Sequence, residues 1–506
     1  MKKPAAMSQV ARLAIGSLSA LAMAAAGPAP SLQQAAITFH PTVSDYAQVA
    51  TGNTPPTEVQ CESVGRTCFT PQAIQSAYDL GPLYAREKKG QGITIAIVDS
   101  YGNDNMAHDL HVFNTAFHLQ SMCGEEGVAC TAGMPTFSRL ALQGSPATTA
   151  PPSTAKSPGQ ENKAAWALEV ALDVETSHAM APKANILLVT TPTAETLGVQ
   201  GFPDMMNAEQ YVVDHHLANV ISQSFASAED AFGSSQSLQN LRHAYISAAQ
   251  NGVTVLGSSG DGGSANTAKQ PVGKGGSLIP FPTVEWPASD PLVTGVGGTY
   301  LCTNPTAGTN DPRTNYAIRK SGCRQDASQT EVGWTFSGGG FSHVFSKPSY
   351  QNLLPAGSTP IGAMRGVPDI ALQASSGTGA LVFLSLPPDG NSGLLCGPAG
   401  TPPACSTGWY DIGGTSLSCP QWAGLVAIAD QLNGGGLGLI NPALYKVANS
   451  SNYAADFFDV TVGNNTNPNV SPAVPGYPAT KGWDPITGLG TPDAAKLLPD
   501  LVAAAH

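Results

Sequence analysis

Short apolar stretches rich in β-branched residues alternate along this chain with longer stretches of helical periodicity. The first, residues 93–99 (ITIAIVD), is apolar through its middle and predicts a strand buried on both faces. Further strands are predicted at 184–189, 219–225, 253–258 and 292–297, and helices at 161–180, 205–217, 237–250 and 417–432. Buried strands separated by helices form a parallel sheet with helices on both faces. We therefore expect an α/β fold with a doubly wound, mainly parallel sheet, in which ligands bind beyond the carboxyl ends of the strands.

The charge balance argues against two classes of protein. The 506 residues include 23 Lys and Arg and 35 Asp and Glu, which gives a net charge of −12, and only 11% of the chain is charged. A nucleic-acid binder would be basic, and a disordered chain would combine high charge with few of the hydrophobic residues that make up 42% here. No internal repeat or linker follows residue 65. We expect one domain over 65–506, preceded by a short polar segment, 27–64.

The first 26 residues have the pattern of a secretory signal peptide. Lys2, Lys3 and Arg12 precede an apolar run over 13–26, with small residues near its end that suit cleavage. A membrane helix needs about 20 apolar residues, more than this run supplies. An uncleaved anchor is the alternative. The sequence predicts a secreted protein with no membrane segment after removal of residues 1–26.

Nine cysteines fit an oxidising destination. Nearest-neighbour pairing predicts the disulfides Cys61–Cys68, Cys123–Cys130, Cys302–Cys323 and Cys396–Cys405, although sequence alone does not prove the connectivity. Cys419 is left over in an apolar stretch, which favours a buried inert thiol over a nucleophile. No cysteine spacing indicates a zinc site.

The predicted helix over 161–180 is apolar nearly all round, and such a helix is buried. It nevertheless carries Glu169 and Asp173, four residues apart and therefore on one face. Two like charges in a buried site are costly, so one of the pair should hold a proton. The alternative, an ordinary solvated face, would need polar neighbours, whereas the neighbours here are Trp166 and Val170. This favours a functional carboxyl pair.

Two glycine-rich turns carry further candidates. In GGTSLSCP (413–420), Ser416 opens the apolar helix and Pro420 is expected in its first turn. Ser416 is either an N-cap or a nucleophile held beside backbone donors. In GVTVLGSSGDGG (252–263), a buried strand ends in a turn that presents Asp261, either as a common turn aspartate or as an acid that faces the site.

Together, these stretches resemble the sedolisin family, the serine-carboxyl peptidases, which share the subtilisin fold but carry a carboxylate in place of the catalytic histidine. The Glu-x-x-x-Asp motif matches Glu169 and Asp173, GGTS matches the nucleophile at Ser416, and Asp261 matches the oxyanion-hole aspartate. Further similar stretches are EWPASDP (285–291), VGGT (296–299), SGGGFS (337–342) and RGVPD (365–369). The resemblance covers about residues 65–495 and implies a single subtilisin-like catalytic domain.

The C-terminal part resembles the calcium loop of this family. The stretches FFDVTVGNN (457–465) and KGWDPITGLG (481–490) match it. The resemblance implies one structural Ca²⁺, held by the carboxylates of Asp459 and Asp484 and the carbonyls of Val460, Thr480 and Gly482. Such an all-oxygen set suits calcium. The alternative is a pair of turn aspartates.

The activity implied is that of an acid-active endopeptidase acting on proteins or peptides. In that mechanism Ser416 attacks the peptide carbonyl, Glu169 takes its proton, Asp173 tunes Glu169, and Asp261 donates a hydrogen bond to the oxyanion. We expect a monomer with no nucleic-acid partner. The alternatives are a neutral subtilisin-type hydrolase, which lacks support because no His-Gly-Thr-His stretch is present, and a non-catalytic secreted binding or surface protein on the same scaffold.

Three features depart from the family pattern. The segment 27–64 leaves no room for the usual large folded prosegment. The substrate-binding strand, often Ser-x-Ser-Trp-Gly, runs here from Ser222 to Ala226 as SQSFA. Asp99 ends the first predicted strand, where it is either an outer hydrogen-bond partner of the Glu169 and Asp173 pair or a simple capping aspartate.

Overall fold

The helices and strands of the computed structural model follow the alternation seen in the sequence. It describes residues 40–41, 45–142, 163–192, 201–267, 278–303, 323, 329–386, 394–397 and 401–506. Its strands, numbered in chain order, are β1 (His40–Pro41), β2 (Asp45–Thr51), β3 (Thr94–Ser100), β4 (Phe137–Ala141), β5 (Asn185–Thr191), β6 (Val220–Gln223), β7 (Phe225–Ala228), β8 (Thr254–Ser258), β9 (Glu285–Trp286), β10 (Thr294–Leu301), β11 (Glu331–Gly333), β12 (Gly340–Ser346), β13 (Met364–Val367), β14 (Ile370–Gln373), β15 (Ala380–Leu384), β16 (Leu395–Gly397), β17 (Thr401–Ala404), β18 (Gly408–Gly413), β19 (Phe457–Phe458) and β20 (Thr491–Pro492). Its helices are α1 (Glu58–Ser63), α2 (Pro71–Ala77), α3 (Gly81–Tyr84), α4 (Met106–Phe117), α5 (Lys163–Met180), α6 (Gly201–Asp214), α7 (Ser235–Gln239), α8 (His243–Gln250), α9 (Thr415–Asn433), α10 (Asn441–Ala448), α11 (Tyr453–Asp456) and α12 (Ala494–Ala505).

The central sheet has eight strands in the order β11-β10-β8-β6-β3-β5-β4, with β14 also paired to β10. Only the β10–β11 pair is antiparallel, and every other pair in this sheet is parallel. The predicted α/β class with a mainly parallel sheet is therefore confirmed.

Helices cover both faces of this sheet. Along β3, Ile95 and Ile97 pack into the apolar cluster that contains residues of α5 and α9, whereas Ala96 and Val98 pack into the cluster formed with α6 and α8. Side chains of a strand alternate between faces, so Asp99 falls on the α5 and α9 side. The fold thereby directs a carboxyl at the end of β3 toward the helix that carries Glu169.

Two elements that the sequence predicts as continuous are each divided in the structure. The single strand over 219–225 is two strands, because the chain leaves the central sheet after Gln223 and enters a three-stranded sheet ordered β1-β7-β9. The single helix over 237–250 is two helices, separated at the point where Arg242 binds Asp290 at 2.5 and 2.8 Å. Long-range partners that the local pattern does not contain thus interrupt both elements.

The segment 27–64 contains regular structure where it is described. Strand β2 lies antiparallel to β18, with Asp45 opposite Gly413, and α1 begins at a Thr57 capping box. Residues 1–26, the predicted signal peptide, lie outside the described residues.

All four predicted disulfides are confirmed, and Cys419 is a free, fully buried thiol. Burial raises the pKa of Cys419 to about 12, which keeps the thiol protonated and inert. Within the described part of the chain, no helix is long and apolar enough to cross a membrane.

Candidate active site

The predicted catalytic side chains meet at the carboxyl edge of the central sheet. Strand β3 presents Asp99 at this edge, and the turn after β8 presents Asp261. Helix α5 contributes Glu169 and Asp173, and the first turn of α9 contributes Ser416. Ligand sites in parallel α/β sheets form at this edge.

Helix α5 is buried as its sequence predicts. Glu169 and Asp173 are both 0% exposed, as are Trp166 and Val170. The alternative of a solvated carboxylate face is therefore wrong. Two carboxyls share a dry environment, in which a proton or a hydrogen-bond donor must offset their charge.

The contacts of this pair are few. Ser224 donates a hydrogen bond from its hydroxyl to Asp173 Oδ1 at 3.0 Å. Asp173 Oδ2 and both oxygens of Glu169 have no partner in full hydrogen-bond geometry among the described residues. The Ser416 hydroxyl is nevertheless close enough to Glu169 for hydrogen bonding to oppose part of the rise in the pKa of Glu169. Catalytic contacts often tighten only when substrate is bound.

Burial is the main cause of the raised pKa values at the site. The pKa of Glu169 and that of Asp173 are both well above the ordinary range, first through burial and then through the charge of Asp99. Burial also raises the pKa of Asp99 to about 8. Three neighbouring carboxyls that are buried together therefore tend to keep their protons.

Asp99 belongs to this group by position. It is 0% exposed, and neither of its oxygens accepts a hydrogen bond from a described residue, so the structure contains no capping interaction of Asp99. Among the described residues Asp99 is therefore not the hydrogen-bond partner of the pair that the sequence allowed, and its influence on Glu169 and Asp173 is through charge.

Asp261 is tied to the helix that carries Ser416. The backbone N–H of Thr415 donates to Asp261 Oδ1 at 2.8 Å, and the Thr415 hydroxyl donates to the same oxygen at 2.9 Å. That hydroxyl also accepts the N–H of Gly260 at 3.0 Å. These are contacts across 154 residues of chain, so Asp261 is not merely a local turn aspartate.

The start of α9 differs from the predicted one in two respects. The helix begins at Thr415 with Gly414 as its N-cap, so the alternative that Ser416 is the N-cap is wrong. Gly414 has a φ of +127°, a conformation that other residues rarely adopt. Pro420 is the sixth helical residue and lies in the second turn, not the first. Ser416 thus occupies the second helical position, among the N–H groups of the first turn.

The residues of the expected calcium loop lie together. Gly482 donates its N–H to both oxygens of Asp459 at 3.0 Å, and Thr480 donates its N–H to Asp484 Oδ2 at 3.2 Å. Asp484 is fully buried, burial raises its pKa to about 7, and no basic side chain of the described residues forms an ion pair with it. Asp484 Oδ1 also accepts the N–H groups of Ile486 at 2.8 Å and Thr487 at 3.0 Å, and the Thr487 hydroxyl donates to Oδ2 at 3.2 Å, which are the contacts of a turn aspartate.

No group of three or more His, Cys, Asp or Glu side chains in the described ranges has an arrangement that could hold a metal. The expected calcium set contains only two such side chains, and its other ligands are backbone carbonyls. The expected ligands are all oxygen atoms, which Ca²⁺ prefers. Calcium binding stays a prediction.

The sequence placed Ser224 only in the substrate-binding strand and Thr415 only in the GGTS motif, and it gave neither residue a role beside the carboxyls. Both are fully buried, and each donates to a predicted catalytic carboxyl. The available signal was position, because Thr415 precedes the candidate nucleophile and Ser224 follows a buried strand that ends at the same edge as β3.

Comparisons with known proteins agree with this architecture. No family model matches the chain. It is 30% identical to kumamolisin from Bacillus sp. (strain MN-32) over 453 residues, which cover 88% of this chain and 66% of that relative. It is 33% identical to sedolisin from Pseudomonas sp. (strain 101) over 300 residues, 59% of this chain and 43% of the relative. It is also 29% identical to tripeptidyl-peptidase 1 from Rattus norvegicus over 374 residues. The chain belongs to the sedolisin family.

A solved structure supports the fold independently. The structure of Pseudomonas sedolisin, a serine-carboxyl proteinase complexed with two molecules of pseudo-iodotyrostatin, superposes with a TM-score of 0.59 at 24% identity. It covers 87% of this chain and 99% of that one. The subtilisin-like arrangement expected from the resemblance is therefore confirmed. The matches span 43% to 66% of the length of the first two curated relatives.

Proposed function

We propose that this chain is a secreted, acid-active serine-carboxyl endopeptidase. The observation that carries the proposal is the convergence of Ser416 with three fully buried carboxyls and with Asp261 at the carboxyl edge of the sheet. A protein that only binds ligands has no need to retain three costly buried acids beside a serine at a helix N-terminus.

Each residue has a separate role in the proposed reaction. Ser416 attacks the peptide carbonyl while Glu169 takes the hydroxyl proton, and an acyl-enzyme forms. Asp173 orients Glu169 and shares its proton. When the amine leaves, Glu169 returns the proton to it, and water then releases the acyl group by the same exchange.

The oxyanion is stabilised by Asp261 together with backbone donors near Ser416. The contacts from Thr415 hold the Asp261 carboxyl in place beside the start of α9, and in the proposed reaction this carboxyl donates a hydrogen bond to the developing oxyanion. A carboxyl donates only in its protonated form. Acid pH therefore favours the oxyanion donor.

The base requires a negative charge within the same group. Glu169, Asp173 and Asp99 repel one another when ionised, so the first proton leaves more easily than the later ones. One shared charge with the other carboxyls protonated gives Glu169 both the charge and the raised basicity that proton transfer needs. Both requirements are met only in the pH range where one of these three carboxyls has lost its proton and Asp261 has kept its own, and the proposal places that range on the acid side.

The test is proteolysis of a denatured protein substrate from pH 3 to 8, with wild type, Ser416→Ala and Glu169→Gln purified side by side. We expect activity below pH 6 for wild type and a loss of at least about 10³-fold for both variants, the scale of losing a nucleophile or its base. Peak activity at neutral pH, or activity that survives Ser416→Ala, would contradict the proposal.

A second digest, of two short peptides, distinguishes internal cleavage from stepwise removal of tripeptides. Some relatives are named tripeptidyl-peptidases, so the products of a blocked and an unblocked peptide of equal sequence should be sequenced. Cleavage of the N-terminally blocked peptide supports an endopeptidase. If only the unblocked peptide is cleaved, and it releases tripeptides, the enzyme is an exopeptidase and the endopeptidase assignment is wrong.

Calcium would be held by the carboxylates of Asp459 and Asp484 and the carbonyls of Val460, Thr480 and Gly482. Bound there, the ion would neutralise buried carboxylate charge and link the end of β19 to the loop before β20. Calcium titration of the Ser416→Ala protein at pH 6 should give one site and a higher melting temperature, and Asp459→Asn should weaken both. A melting temperature that does not respond to calcium would contradict this assignment.

Secretion and a monomeric state are the remaining parts of the proposal. Four disulfides suit an oxidising compartment. N-terminal sequencing of protein from the culture medium should find a start after residue 26, and light scattering should give the mass of one chain.

A further inference from the structure

The hydroxyl of Ser224 lies beside the carboxyl pair but has no role in the proposed reaction steps. Ser224 lies between the end of β6 and the start of β7, where the chain leaves the central sheet. Val98 of β3 pairs with Gln223 of β6 at the end of their ladder, and Asp99 and Ser224 are the residues that directly follow this pair at the carboxyl edge. The fold therefore brings this serine into the group of buried carboxyls.

Ser224 forms a direct hydrogen bond with Asp173. The hydroxyl is 0% exposed and donates to Asp173 Oδ1 at 3.0 Å, whereas Asp173 Oδ2 has no hydrogen-bond partner among the described residues. One oxygen of Asp173 is thus fixed, and the other remains for the proton that the carboxyls share.

We propose that Ser224 is a positioning residue that fixes the orientation of the Asp173 carboxyl and so determines which oxygen shares a proton with Glu169. This inference rests on the proposed peptidase function. Ser224 does not touch the reacting atoms, and its effect reaches them through Asp173 and Glu169.

The electrostatic surroundings indicate the direction of the effect. The charge of Asp99 on β3 acts on both carboxyls, and that of Asp261 in the turn after β8 acts on Glu169. The Cys419 thiol on α9 also faces the pair, and the charges of Asp173 and Glu169 raise its pKa. No Lys, Arg or His of the described residues forms an ion pair with Glu169 or Asp173. Hydrogen bonding from Ser224 lowers the pKa of Asp173 and that of Glu169, against the rise that burial causes. Loss of the hydroxyl should therefore make the base harder to ionise.

The experiment measures kcat and KM from pH 3 to 7 for wild type, Ser224→Ala, Ser224→Thr and Ser177→Ala in the full chain. We expect Ser224→Ala to move the acid limb of kcat/KM upward by about one pH unit, the scale of one hydrogen bond to a charged group, and to lower kcat about tenfold with KM nearly unchanged. Ser224→Thr keeps a hydroxyl and should restore the limb.

The control is another buried serine whose hydroxyl contacts α9 instead of the carboxyl pair. Ser177 lies on α5 and donates to the carbonyl of Pro420 at 3.1 Å, so Ser177→Ala removes a buried hydrogen bond without altering Asp173. Ser177→Ala should leave the pH dependence of kcat/KM unchanged. If Ser224→Ala does not fold, Ser224→Cys, with its weaker donor, should give an intermediate shift.

An acid limb for Ser224→Ala that coincides with that of wild type would overturn the inference, as would an equal shift in Ser177→Ala. These results differ from failure of the proposed function itself, in which wild type has no Ser416-dependent activity at any pH. An unmoved limb in an active, Ser416-dependent enzyme refutes only the role of Ser224.

Discussion

Replacement of Asp430 by Asn should stabilise this protein at neutral pH and leave its stability at acid pH unchanged. Asp430 lies in the last turn of α9, is 0% exposed and accepts the N–H of Leu437 at 2.9 Å through one oxygen. Its other oxygen has no partner among the described residues. A negative charge at a helix C-terminus is also unfavourable toward the helix dipole. Both effects penalise the ionised form.

The magnitude follows from the pKa of Asp430. Burial raises it from 3.8 to about 8. A difference of about 4 pH units corresponds to roughly 6 kcal/mol, at 1.36 kcal/mol per unit. Below pH 4 the carboxyl is protonated in both the folded and the unfolded chain, so it costs nothing. Between pH 4 and 8 only the unfolded chain releases the proton, so the free energy of unfolding falls as pH rises. Asparagine accepts the Leu437 bond without this penalty.

The assay is urea unfolding of Asp430→Asn in a Ser416→Ala background, which removes self-digestion, at pH 4, 6 and 8. Asp430 is about 21 Å along α9 from Ser416, at 1.5 Å per residue, so the variant tests stability apart from catalysis. Asp214→Asn, on the exposed side of α6, is the control of equal chemistry. Equal stabilisation at pH 4 and pH 8, or none at pH 8, would refute the reasoning.

Substitutions at two further residues test other groups. His178 is fully buried and its Nε2 bonds the Gln120 carbonyl at 2.7 Å, and burial lowers its pKa to about 4, so the neutral form contributes stability above pH 6.5 that is lost as pH falls toward 4. His178→Gln should therefore gain up to about 3 kcal/mol relative to wild type at pH 3.5 but not at pH 7, and a gain of equal size at both pH values in urea unfolding would contradict this. Asp261→Asn should retain part of kcat and extend activity toward neutral pH because an amide donates without an acidic proton, whereas Asp261→Ala should lose about 10²- to 10³-fold. Identical pH profiles for Asp261→Asn and wild type would exclude Asp261 as a protonated donor.

The sequence predicted the elements whose signals are local. The apolar runs at β3 and β8 and the all-apolar α5 identified buried elements, and carboxyls on a buried helix indicated a functional pair without knowledge of the fold. The residues that hold those carboxyls could not be found in this way. Thr415 and Asp261 meet across 154 residues, and only the folded sheet edge brings them together.

The division of β6 from β7 shows the same limit. The sequence of 219–225 contains no Gly or Pro to mark a break, and the second half of this stretch, β7, pairs with strand β9 through Ser227 with Trp286 and Ala228 with Glu285. Strand β2 was missed for a related reason, because its pairing with β18 joins segments more than 350 residues apart. Strand propensity reflects packing against such partners, which a single segment does not contain.

The final prediction concerns the pH dependence of the whole fold. Burial raises the pKa of Glu285 to about 8 and that of Glu331 to about 7, as it does for Asp99 and Asp430. Each value lies above the ordinary range, so the folded chain binds more protons than the unfolded chain between about pH 4 and 8, and the stability present near pH 4 is lost as pH rises. His178 acts in the opposite sense below pH 6.5. The Ser416→Ala protein should therefore lose free energy of unfolding steadily from pH 5 to 8 in urea titrations, and a stability that rises over this range would contradict the burial argument. With only 23 Lys and Arg, the same chain avoids strong repulsion when its carboxyls are neutral. Protonation of the buried acids therefore stabilises the fold in the same pH range in which Asp261 can donate as a protonated carboxyl. The acid activity proposed for the site requires no additional stabilising feature elsewhere in the chain.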